Sequence, residues 1–197
     1  MVSSVSAGSG SSAVTTGNIA TTGATLLTAM VSYYGMAATT ANISDSAGNT
    51  WTQLSDYAAS FYRVRLFYCL APTTSASHTV TFSKAGSYPT VCFSSWSGVS
   101  SYDSESGSSA TGTSIQPGSI TPSANGALLM TSLFNAVVQT YAIDSGFTEL
   151  DNVAFASSQH VGGEFAYLIQ PTAAAVNPTW SWSTSTAASV NMACFLP

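Results

Sequence analysis

Two histidines, eight carboxylates and three cysteines are the side chains on which chemistry in this 197-residue sequence could turn. Serine is abundant, so a Ser–His–acid triad can be assembled on paper. Such a triad needs a serine presented on a sharp elbow, with an imidazole held beside it as the base. No serine stands in a Gly-x-Ser-x-Gly sequence. His78 opens a predicted strand where a second, similar segment has Pro178, which reads as a turn-edge position. His160 sits in Ser158-Gln159-His160-Val161-Gly162-Gly163, which reads as a loop. Both histidines are expected at the surface or in turns, and no catalytic residue is assigned.

The acids are Asp45, Asp56, Asp103, Glu105, Asp144, Glu149, Asp151 and Glu164. A carboxylate pair could serve glycoside hydrolysis. Most of these acids fall in predicted turns, where Asp bonds its own backbone. Asp103 with Glu105, and Glu149 with Asp151, are spaced to share a face of an extended chain. That would suit weak Ca²⁺ binding, but calcium takes about 6–8 oxygen ligands and no loop here is acid-dense. No Cys/His cluster has zinc spacing. No cofactor and no metal are expected. The cysteines are Cys69, Cys92 and Cys194. A Cys92–Cys194 disulfide and reduced, packed thiols are both open, and the thiols are favoured because a free cysteine packs as a small apolar residue.

Aromatic residues carry more weight. Tyr57, Phe61 and Tyr62 precede a predicted strand, and Tyr102 and Tyr141 lie in other predicted loops. Exposed rings there would stack on sugars or anchor a protein partner. Trp51, Trp96, Trp180 and Trp182 read as core.

These residues must be positioned by β-structure. Five blocks recur in the same order. Gly23–Met30 echoes Gly126–Leu133, and Gly48–Leu54 echoes Ser145–Leu150. Leu66–Pro72 matches Phe165–Pro171, His78–Ser83 matches Pro178–Ser183, and Val91-Cys92-Phe93 matches Ala193-Cys194-Phe195. The repeat predicts an all-β, jelly-roll-like sandwich built from two similar Greek-key halves, about 20–99 and 115–197. Tyr68 and Tyr167 should be equivalent, as should Cys92 and Cys194. Leu66, Tyr68, Leu70, Phe165, Tyr167 and Ile169 should face the core. Residues 42–54 read as a hairpin around Gly48-Asn49. Residues 100–114 read as a polar crossover loop. Residues 1–12 read as a flexible arm, with Val2 and Val5 able to lie along a neighbour, and 13–197 as a single domain.

Composition limits the partners. Only 6% of the residues are charged, and the net charge is −5. The three basic residues are Arg63, Arg65 and Lys84. Nucleic-acid binding relies on clustered cations and is therefore excluded, and anionic membranes are disfavoured. No run reaches the roughly 18 apolar residues of a membrane-spanning helix. The first residues lack the basic and apolar regions of a secretory signal, which suggests synthesis in the cytosol or a trimmed sequence. A neutral Ser/Thr/Gly surface suits close packing beside copies of the same chain.

Ser44-Asp45-Ser46-Ala47-Gly48-Asn49-Thr50-Trp51-Thr52, His78-Thr79-Val80-Thr81-Phe82 and Ser97-Gly98-Val99 resemble segments of non-catalytic jelly-roll modules. Such modules occur in phage structural proteins, as decoration or tail components, and in bacterial surface proteins. The resemblance implies a non-enzymatic, virion-surface component made in the host cytoplasm. Its partners would be neighbouring virion proteins and further copies of itself. The alternative is a carbohydrate-binding module or adhesin domain at the cell surface or outside the cell, taking a glycan.

Overall fold

The computed structural model describes residues 1–10, 12–35, 42–85, 87–137, 139–155 and 161–197, with backbone alone for 154, 155 and 161. The chain forms an all-β antiparallel sandwich. Its first half runs β1 (Ser3–Gly8), β2 (Ala13–Thr15), β3 (Leu26–Tyr34), β4 (Asn42–Asp45), β5 (Thr52–Gln53), β6 (Tyr57–Ala59), β7 (Tyr62–Leu70), β8 (Val80–Ser83) and β9 (Thr90–Trp96). The second runs β10 (Ser101–Ile115), β11 (Ala127–Asn135), β12 (Tyr141–Ile143), β13 (Thr148–Phe155), β14 (Val161–Gln170) and β15 (Trp180–Leu196).

Each half repeats one plan. The first large sheet has the order β1-β9-β3-β7-β5, and the second has β10-β15-β11-β14-β13. In the first half a small sheet, β2-β8-β4, covers one face of the large one. In the second half the end of β10 and β12 both pair with the start of β15, which repeats that small sheet without a break in the long strands. Each half thus carries both layers of a jelly roll, and the sandwich is built twice.

Alternation of side chains explains how the layers fill. Leu27, Ala29, Val31 and Tyr33 of β3 face the small sheet, packing with Phe67, Val80, Phe82 and Phe93. The other face of that sheet presents Leu26, Met30, Leu66, Cys92 and Trp96 to Leu128, Met130, Phe165 and Phe195 of the second half. The two large sheets therefore pack back to back through a shared core. A strand buried on both faces reads as a continuous apolar run, and β3 and β11 do so.

The register locates the repeat. Tyr68 is opposite Thr28, which is opposite Ser94; Tyr167 is opposite Met130, which is opposite Ala193. Tyr68 and Tyr167 are equivalent on this ladder, and so are Trp96 and Phe195. Cys92 and Cys194 are not. Cys92 belongs to the core between the halves and Cys194 to the outer face of the second large sheet. An odd-numbered slip sends a side chain through the sheet, which separates the two cysteines. All three cysteines are buried and free, so the disulfide alternative is not realised. The block His78–Ser83 also shifts by two residues. Phe82 lies between Val14 and Ile43, as Trp180 lies between Ile115 and Ile143, and His78 corresponds to Val176.

Other expectations are corrected. The segment 42–54 is not a hairpin: β4 pairs with β8 and β5 with β7, so the Gly48 turn (φ 74°) carries the chain between layers. Residues 101–115 are a strand, because Ser, Thr and Gly satisfy a ladder on a half-wet edge as well as a loop does. Ser3–Gly8 is not a free arm but an edge strand on β9, with Val5 and Ala7 packed on the first core. Ile169 is 53% exposed, unlike its strand mates Phe165 and Tyr167.

Candidate functional site

The five aromatics named from the sequence do not form one surface. Tyr57 lies against Gly107, where a Cβ would meet its ring at 2.5 Å. Tyr62 packs on Phe134 at 5.4 Å, and with Tyr34, Tyr57 and Tyr88 it closes one end of the interface between the halves. Phe61, on the turn between β6 and β7, is 40% exposed and 5.3 Å from Tyr34. Tyr102 stacks on Tyr68 at 5.5 Å with an interplanar angle of 9°. Burial and the nearby Glu105 push its hydroxyl up to about 12. Tyr141 sits elsewhere, beside Trp182. Structural packing takes most of these rings, and Phe61 remains the exposed one. Val2 is exposed at the start of β1, and Val5 is half-buried.

His78 is buried rather than at a turn edge. Its Nε2 is 3.2 Å from Asp45 Oδ1 and its Nδ1 is 2.9 Å from Thr21 Oγ1. This hydroxyl–imidazole–carboxylate line has the residue types of a nucleophilic triad, but its chemistry is closed. Thr21 Oγ1 also accepts from Ser75 N at 3.0 Å and donates to Ser75 O at 3.2 Å. Asp45 accepts from the Ala47 and Asn49 amides and from the Trp51 indole at 2.6 Å. Burial would raise the Asp45 carboxyl, but these donors together with His78 hold it below the usual range. Thr21, His78 and the Asp45 side chain are fully buried, so no substrate reaches the hydroxyl. The unit ties the turn after β4 to the loop before β8. The signal in the sequence was Asp45 followed by Ala47, Gly48 and Asn49, an Asx-turn pattern. His160 lies outside the described residues.

The acid pairs also separate. Asp103 accepts from Ser123 Oγ at 2.7 Å, whereas Glu105 accepts from Ser55 Oγ at 2.7 Å. A bulge between Glu149 and Asp151 breaks their shared face. Glu164 is 2% exposed, and its carboxylate oxygens have no hydrogen-bond partner among the described residues. Burial first, then Glu149 and Asp151, push it up to about 9. It is therefore a neutral acid at pH 7. Among the described residues no group of three His, Cys, Asp or Glu is placed to hold a metal ion, and no helix is long and apolar enough to cross a membrane.

A second polar cluster was not anticipated. Asp56 Oδ2 lies 2.5 Å from Arg63 Nη1 and 3.1 Å from Arg65 Nη2, and its Oδ1 accepts from Tyr33 Oη at 2.9 Å. Arg63 Nε donates to Gly35 O at 2.7 Å, and Lys84 Nζ stands 5.7 Å from the Tyr33 ring centre. Every Lys and Arg of the chain is here. Arg63 and Arg65 are two apart on β7, so one face carries both. Lys84 follows β8 across the sandwich. Only knowledge of which strands face each other could have joined them. No protein-family model, no curated protein and no solved structure matches this chain.

Proposed function

We propose that this chain is a non-enzymatic structural module, a surface-displayed component of a phage virion or similar assembly that works by packing beside copies of itself or neighbouring proteins. The observation that carries this reading is β1. It is a sheet-edge strand, Ser3–Gly8, with no charge and no proline. Edge strands that must stay alone are usually blunted by Lys, Pro or bulges, and a bare edge is a template for another strand. The closed Thr21–His78–Asp45 unit and the sparsely charged composition fit the same reading. Sedimentation of the full chain at rising concentration tests it. Self-association that persists at about 1 M salt is expected, because screening acts on charges rather than on strand pairing or apolar burial. A strictly monomeric chain, or association dissolved by salt, would count against it.

The exposed Phe61 beside Tyr34 favours a second reading, a glycan-binding module. A glycan array distinguishes the two. Saturable binding that disappears with Phe61→Ala would replace the first reading, and Phe61 is a cleaner probe than Tyr57 or Tyr62, whose loss disturbs packing. Catalytic turnover lost on His160→Ala would overturn both.

A further inference from the structure

We propose that β10 is a self-pairing edge: two copies of this chain join antiparallel along Ser104–Gly112, continuing the second large sheet across a two-fold axis. The inference rests on the reading of the chain as a module that packs beside copies of itself, and it names the contact. The argument starts from which sheet edges are guarded. The first large sheet ends in β1 on one side and in β5 and β6 on the other, and the second ends in β10 and β13. β13 carries Glu149 and Asp151 with a bulge between them. β5 and β6 are only two and three residues long. Charge, bulges and shortness are the usual means of keeping an edge alone. β10 is 15 residues long, and from Ser106 to Ile115 it has no charge and no proline. Its bulges fall between Tyr102 and Ser104 and between Gly112 and Ser114, so the ladder from Ser104 to Gly112 is unbroken.

This edge is open and already held in shape. Among the described residues, no backbone group from Ser104 to Thr111 makes a hydrogen bond beyond the ladder with β15. Ser109, Ala110 and Thr111 are exposed. A recess of about 250 Å³ beside them, shared with Ala58, Ala59 and Ser60, leaves room for incoming side chains. On one face Ser106 and Ser108 donate to the Pro117 and Gln116 carbonyls, and on the other the Tyr57 ring lies against Gly107. A strand fixed from both faces loses little freedom when it pairs.

The residues along the edge select the partner. In an antiparallel copy centred between Ser108 and Ser109, Gly107 faces Ala110 and Ser106 faces Thr111. Small side chains meet without clash, and opposed Ser and Thr hydroxyls bond across strands. Glu105 then faces Gly112 and Asp103 faces Ser114, so no two acids are opposed. A parallel copy would set Asp103 and Glu105 beside their own counterparts, which like-charge repulsion disfavours. The antiparallel arrangement is isologous, the commonest contact between identical chains.

The full chain is followed at rising concentration by sedimentation and by amide hydrogen exchange with mass spectrometry. Exchange of the Ser104–Gly112 amides should slow as association proceeds. Ala110→Lys brings two ammonium groups together near the axis, and it should remove that protection and weaken association at least about tenfold. Ala76→Lys adds the same charge at an exposed position in the loop before β8 and should associate like the parent. The exchange measurement on the parent chain decides the matter if Ala110→Lys does not fold. Association that leaves exchange of Ser104–Gly112 unchanged, or that survives Ala110→Lys undiminished, would overturn the β10 contact and leave the self-packing reading standing. A chain that stays monomeric at every concentration would overturn both.

Discussion

Asp45 and Glu164 show opposite solutions to burying an acid. Asp45 is ionised and saturated with donors, so its stabilising effect is present above the ordinary carboxylate range and is lost as pH falls through its lowered value. Asp45→Asn should place an amide N–H against existing donors and cost about 2–4 kcal/mol by denaturant unfolding. Glu164 is raised, so the sign reverses: stability is complete below the ordinary value of 4.5 and declines as pH climbs towards 9. Glu164→Gln should flatten that decline, leaving the variant about 1–3 kcal/mol more stable than the parent near pH 8. A parent whose stability is flat between pH 5 and 9 would refute this. Little of this was legible in sequence. Spacing marked Asp45 as a turn former, but its meeting with the buried His78 depends on β8 pairing beside β4. Glu164 looked like any polar residue at a strand end.

At the level of elements, β3 and β11 were readable because two-sided burial leaves a plain apolar signature. β10 was not, since Ser-Gly-Ser-Ser-Ala-Thr-Gly-Thr spells a loop as readily as a half-wet edge strand. The hairpin reading of 42–54 failed because tight-turn chemistry does not say which strands the turn joins. Glycines mark where elements approach. A Cβ on Gly163 would overlap Thr90 Oγ1 and lie 2.8 Å from Phe165 Cζ and 3.1 Å from Ser32 Oγ, where the two large sheets meet. Gly163→Ala should cost about 1–3 kcal/mol through overpacking. Gly112→Ala, whose Cβ would find nothing nearer than 3.7 Å, should stay within about 0.5 kcal/mol. Chemical unfolding of the two variants in parallel checks this, and equal losses would remove the inter-sheet explanation.

For the whole molecule, the duplication was legible but its scale was not. Repeated blocks predicted two similar halves of one sandwich, which the fold has; the smaller sheet laid on the first large one, and its equivalent in the second half, could not be read from them. The halves meet through reciprocal contacts: Tyr68 edges onto Phe195 at 5.4 Å, and its counterpart Tyr167 edges onto Trp96 at 5.0 Å. That exchange is the signature of a two-fold interface within one chain. The shared core includes Leu26, Met30, Phe165 and Phe195, so neither half can melt without exposing the other. Scanning calorimetry of the full chain should give a single cooperative transition. Two resolved transitions would show that the shared core contributes little.

The equivalence has an electrical exception. Arg65 pairs with Val31 on the same ladder position where Glu164 pairs with Leu133. Shape is repeated there, while a guanidinium in the first half is matched by a buried, neutral acid in the second. By outline the two halves match at this position; by charge they do not, since the first holds a cation there and the second an uncharged carboxyl. The two halves of a nearly symmetric molecule are therefore chemically distinct at one matched ladder position.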